Sequence, residues 1–185
     1  MIEILKDNNT YCVLDTETTG LSPQNGDKLV EIAVYKIKIL EDNINFIIKD
    51  KFITLLNPER NIPFYASKIH GIRDKHVENS PKFFEIQEEF LNFINNCVLV
   101  IQNARFDLKF LNFEISNEQY IKNQILDTMK MSHRVFKGER KHNLDIICKR
   151  LNINTNVSRH RAEGDVILTS QAFVKMRKYI IENNN

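Results

Sequence analysis

The sequence predicts an α/β fold: a mixed five-stranded sheet, three antiparallel strands then parallel strands, flanked by helices. Three observations carry this reading. The first third holds three strand-like apolar runs joined by short connections, the second half alternates short β-branched runs with helical stretches, and the chain closes on one long helical pattern. The order is βββα and then β-α-β-α-α, with no internal repeat and no linker.

Tyr11 to Thr16 is a short apolar-rich run ending in a polar, glycine-containing turn, so it reads as a buried strand whose end reaches the surface. Leu29 to Ile39 alternates apolar and charged residues through Ile32, Val34, Ile37 and Ile39, with one slip of phase. Phe46 to Leu56 is a third strand, closed by Asn57-Pro58. Their short connections predict an antiparallel meander. A short helix follows at Tyr65 to His70, and Phe83 to Asn95 lines up Phe83, Ile86, Phe90, Phe93 and Ile94 on one stripe, with Ser80-Pro81 as its start signal. Val98 to Ile101 is too short and too β-branched for a helix and feeds a helix from Phe106 to Phe113. Ile125-Leu126 is a minimal strand before a helix at Thr128 to Val135. Helices at Leu144 to Leu151 and from Ala162 to about Ile181 complete the chain.

With 185 residues and 42% apolar content, one domain can bury its core unaided. Cys12, Cys97 and Cys148 are distant, odd in number and set among apolar residues, which predicts buried thiols in a reducing cytoplasm. No apolar stretch is long enough to cross a bilayer. The net charge of +2 argues against coating long nucleic acids, because such binding scales with the phosphates neutralised. The charge is uneven, however. Arg134, Lys137, Arg140, Lys141, Lys149, Arg150, Arg159 and Arg161 face only Glu139 and Asp145 in the same stretch, a pattern that fits either a solvated face or a phosphate contact.

Asp15 and Glu17 stand two apart at the end of the first strand, so both side chains point the same way. Two anions held together repel each other and lose hydration, a cost that makes sense when a divalent cation binds between them. Thr18, Thr19 and Gly20 follow, small residues that would let a ligand approach the backbone. Asp107, just after the strand at Val98 to Ile101, also suits the first turn of a helix, where the dipole stabilises a carboxylate. His160 and Asp165 open the last helix, and taken alone His160 reads equally as an exposed helix-start residue. Asp127 is either a fifth acid of a cleft or the cap of the helix at Thr128.

Taken together, Asp15-Thr16-Glu17-Thr18-Thr19-Gly20-Leu21, Asn103-Ala104-Arg105-Phe106-Asp107 and His160-x4-Asp165 resemble the three motifs of the DEDDh exonuclease family, and within it the epsilon-type proofreading subunits of bacterial DNA polymerase III. Ile69-His70-Gly71-Ile72, Asp127-Thr128 and Asn143-Leu144-Asp145 belong to the same likeness, which runs from Tyr11 to about Met176. The resemblance implies a ribonuclease-H-like fold and hydrolysis of phosphodiester bonds from the 3′ end of DNA. It implies Asp15, Glu17, Asp107 and Asp165 as ligands of two divalent cations, Mg²⁺ or Mn²⁺, with Asp107 the weakest, and His160 as general base. Thr18, Leu21, Asn103 and His70 become substrate-binding positions around the terminal nucleotide. Gln102 departs from the pattern, because relatives often carry histidine there.

The expected partner is the 3′ end of a nucleic acid, DNA before RNA. A DNA polymerase catalytic subunit is a further candidate, although the chain stops soon after its last helix, at Glu182 and three asparagines, which favours a protein acting alone. Two rivals remain: an RNA-trimming exonuclease of the same family and a catalytically silent module that binds DNA ends or a polymerase. A cluster of repelling carboxylates has no use in the second. His133 and His142 lack a thiol or histidine partner at zinc-ligand spacing.

Overall fold

The computed structural model describes residues 1–7, 10–115 and 120–183. Strands β1 (Thr10–Thr18), β2 (Leu29–Ile39) and β3 (Phe46–Leu55) form the antiparallel meander, and β4 (Val98–Ile101) and β5 (Ile125–Asp127) extend it in parallel. The sheet order is β3-β2-β1-β4-β5, so β1 lies at the centre, where antiparallel pairing gives way to parallel. The phase slip in β2 reflects burial on both faces, Ile32 and Val34 joining one apolar layer and Ile37 and Ile39 the other, while the register shift against β3 between Lys36 and Ile37 leaves Lys49 of β3 as the extra residue that bends that strand.

Alternation along β1 divides the core into two layers. Tyr11 and Val13 face helices α1 (Ile2–Asp7), α6 (Thr128–Val135), α7 (Leu144–Arg150) and α8 (Ala162–Glu182), through Leu5, Met131, Ile147 and Phe173. Cys12 and Leu14 face α4 (Phe83–Ile94) and α5 (Ala104–Glu114), through Phe90 and Phe110. Helices α2 (Phe64–His70) and α3 (Asp74–Val77) enclose a smaller apolar cluster with Val30, Ala66, Ile72 and Val77. Cys12 and Cys148 are buried, and all three cysteines are free thiols. Among the described residues, no helix is long and apolar enough to cross a membrane.

Several boundaries differ from the sequence reading for physical reasons. The first strand runs two residues past Thr16, because Glu17 and Thr18 still pair with β2 opposite Glu31 and Leu29. Helix α4 begins at Phe83 without help from Ser80, whose N–H closes a turn on the Val77 carbonyl at 3.0 Å; the Glu85 carboxylate instead accepts from the Lys82 N–H at 2.7 Å. Helix α5 starts at Ala104, two residues before Phe106, because its cap comes from another element. The Asp127 carboxylate accepts from the N–H groups of Asn103 and Ala104, both at 3.2 Å, and from Met129 and Lys130 of its own helix at 2.9 and 3.4 Å. One buried acid thus caps two helices. Asp127→Ala should destabilise the fold by roughly 2 kcal/mol, about 1 per cap lost, while Asp127→Asn, which keeps an acceptor, should lose less. Denaturant titration of both variants checks this, and equal losses would argue against capping.

Candidate active site

The same alternation that builds the two layers places the acids. Asp15 and Glu17 share the face of Tyr11 and Val13, which is the face covered by α8. Asp165 lies in the first turn of α8 at the end of that face. One carboxylate oxygen from each of Asp15, Glu17 and Asp165 comes within 4.8 Å of the others. Thr16 points to the opposite face, where α5 packs, and its N–H and Oγ1 both donate to Asp107 Oδ1, at 3.1 and 2.7 Å. Asp107 therefore stands behind the same strand end. It is 3% exposed and outside the group of three, yet its charge is felt at Asp15.

This crowding is visible in the protonation of the site. Burial pushes the Asp15 carboxyl well above its ordinary range, and repulsion from Asp107, Glu17 and Asp165 pushes it further. Burial, then Asp165, Glu31 and Asp107, raises Glu17 to about 8. Burial raises Asp107 to about 7 against the opposing hydrogen bonds from Thr16. In direct contact with the acids is the Arg159 guanidinium, which meets Asp165 and also donates to Asp145 at 2.7 Å. A cluster of hard oxygen donors so short of counter-charge fits divalent cations, and the residues that would hold them are Asp15, Glu17 and Asp165, with Asp107 behind.

Glu31 belongs to this neighbourhood and escaped the sequence reading. It pairs with Glu17 across the β1–β2 ladder, is 2% exposed, and grips Arg161 through Nε at 3.0 Å and Nη2 at 2.6 Å while accepting from the Ala162 N–H at 2.9 Å. These bonds fix the entry to α8 beside the acids. A carboxylate inside the apolar run Leu29 to Ile39 is the signal that could have found it. Gly164 completes the join, since a Cβ there would run into the Ser158 carbonyl. Between these anchors His160 adopts a left-handed φ of 58°, which histidine takes more readily than most side chains. Its side chain is exposed and, among the described contacts, bonds to none of the acids.

The substrate-binding candidates sit on different elements and differ in exposure. Thr18 is buried, its Oγ1 donating to the Gly20 carbonyl at 2.6 Å. Gly20 lacks a side chain where Asp27 packs, and a Cβ there would strike the Asp27 carboxylate. Leu21 projects beyond it, 78% exposed, its carbonyl held by Lys109 Nζ at 3.1 Å. His70 is buried at the end of α2, where Nδ1 accepts from the Ile72 N–H at 3.0 Å and the ring neighbours the Thr18 backbone; burial favours its neutral form. Asn103 is exposed in a left-handed conformation before α5. Gln102 acts as a brace, donating to the His142 carbonyl at 3.0 Å and accepting from Thr128 Oγ1 at 2.6 Å.

Residues 12–173 match the exonuclease family named for RNase T. The chain is 39% identical over 172 residues to the DNA polymerase III subunit epsilon of Rickettsia prowazekii, covering 89% of this chain and 72% of the relative. It is 38% identical over 194 residues to the subunit of the same name in Buchnera aphidicola, covering 96% and 81%. The chain belongs to the exonuclease family and is a 3′–5′ exonuclease. Solved structures share its fold. Exonuclease X in complex with 5′ overhanging duplex DNA superposes with a TM-score of 0.71 at 24% identity, covering 91% of this chain and 92% of that one. The nuclease domain of 3′hExo, a DEDDh family member bound to rAMP, gives 0.78 at 17% identity, covering 92% of each.

Proposed function

We propose that the chain removes nucleotides from the 3′ ends of single-stranded or mispaired DNA, releasing nucleoside 5′-monophosphates, as a proofreading or repair enzyme of the cytoplasm. The observation that carries this reading is the convergence of Asp15, Glu17 and Asp165 on one pocket with Asp107 behind it. These acids hold two cations, Mg²⁺ or Mn²⁺, since every donor in the group is oxygen. When bound, the cations supply charge that shields the phosphate, activates water and stabilises the leaving 3′ oxygen.

The remaining work falls to the protein. His160 takes the proton of the attacking water, and its left-handed turn presents the imidazole on the solvent side, where water arrives. Exposed Leu21 wedges between the last bases, the buried Thr18 segment holds the 3′ terminus through its backbone, and His70 and Asn103 flank the terminal nucleotide. The choice of DNA follows the relatives named as DNA polymerase III subunits, which also supports a polymerase catalytic subunit as partner. The test is digestion of a 5′-labelled DNA strand and its RNA counterpart with Mg²⁺. Stepwise shortening from the 3′ end, faster on DNA, is expected. Internal cuts would overturn the reading, and faster RNA digestion would overturn the choice of substrate.

A further inference from the structure

The segment between α6 and α7 is built more firmly than a connecting loop requires. His142 is buried, with Nδ1 at 2.8 Å from Ser132 Oγ, Nε2 at 3.0 Å from the Glu139 carbonyl, and its ring stacked 3.6 Å from that of His133. Arg150 stands over the Phe136 ring, donating to the Lys141 carbonyl at 2.8 Å and to the Glu139 carboxylate at 2.6 Å. The segment's one acid is thereby neutralised from within. Lys137, Arg140 and Lys141 are left exposed, with no ion pair or hydrogen bond from their side chains among the described residues. Three unpaired cations within five residues on a braced backbone are poised for a polyanion without further ordering.

Two ties set this segment beside the acids. Gln102, next to Asn103, bonds the His142 carbonyl, and Asp145, three residues beyond His142, is joined through Arg159 to Asp165. We propose that Lys137, Arg140 and Lys141 form a phosphate-binding rail that grips the single strand upstream of the 3′ end being cut. The inference rests on the exonuclease reading of the site and adds where the strand runs. It also gives Gln102 a function, as the brace that holds the rail in line with the catalytic turn. The weak overall charge agrees with a grip confined to a few phosphates, each contact releasing bound counterions.

The test compares K137A/R140A/K141A with a control, K38A/K49A/K122A, which removes the same charge from exposed lysines near the opposite end of the sheet. Binding of a labelled oligothymidylate is followed by anisotropy in chelator, so the answer does not depend on turnover. Three single-strand phosphate contacts predict that the slope of log affinity against log salt shrinks by about 2 in the rail variant and stays unchanged in the control. With Mg²⁺, kcat on the nitrophenyl ester of thymidine 5′-monophosphate, which has no upstream phosphates, should be unchanged. Equal slopes in the two triple variants, or a slope unaltered from wild type, would overturn the rail. Loss of ester hydrolysis in the rail variant would overturn it too, by tying these residues to the chemistry. Failure of the wild type to hydrolyse the ester would count against the site reading and leave the salt slopes to judge the rail.

Discussion

Asp15→Asn is expected to abolish turnover while raising the melting temperature of the cation-free protein. Asparagine removes the charge that the cations need, and metal stabilisation of several kcal/mol, at tenfold per 1.4 kcal/mol, puts the loss in kcat on the order of 10³-fold or more. Without cations the same charge is a burden, because Asp107, Glu17 and Asp165 all repel it. The pH dependence follows from the raised groups. Glu17 moves from 4.5 to about 8 and Asp107 from 3.8 to about 7, so between these limits the folded chain keeps protons that the unfolded chain has released. Stability in chelator is therefore full below the lower values and falls as pH rises towards 8. Asp15→Asn should flatten that fall. Melting curves across the range check it, and a wild-type melting temperature that climbs with pH would contradict the electrostatic account.

The second large effect is expected at His160. His160→Ala should lower kcat by roughly 10²- to 10⁴-fold, the usual worth of a positioned proton acceptor. Cation affinity, measured by calorimetry, should be unchanged, because the imidazole bonds to none of the acids. The pH–rate profile should change with it, since the group that accepts the proton of the attacking water has been removed. A variant that keeps the wild-type profile would remove His160 from the mechanism.

How much of this was legible depends on how far each signal lies from its cause. The Asp15 and Glu17 pair could be read directly, because spacing of two along a strand fixes a shared face from local geometry alone. The antiparallel meander followed from short connections and the two further strands from the apolar runs at Val98 and Ile125, whereas the central place of β1 in the sheet was not read. The offset of Asp107 could not be read, because it depends on α5 covering the face of Thr16 while α8 covers that of Asp15. Glu31 stands out in the sequence only as a carboxylate in an apolar run, and its meaning could not be read: its partners lie 130 residues away, and it matters only when β2 lies beside Glu17. Asp127 looked ambiguous between ligand and cap; bonds to two helices bind it as a cap. The short helices α1 and α3, of six and four residues, carry too few turns for periodicity to register.

The central claim is that these carboxylates hold cations, and Mn²⁺ titration followed by calorimetry in two buffers of different ionisation heat tests it most directly. Ligands must lose their protons on binding, and Glu17 and Asp107 retain theirs up to about 8 and 7. Binding near neutral pH should release protons, and the number released should shrink as pH rises past 8, where Glu17 and Asp107 have already lost theirs. Binding heat independent of the buffer at neutral pH, or no binding at all, would contradict the account.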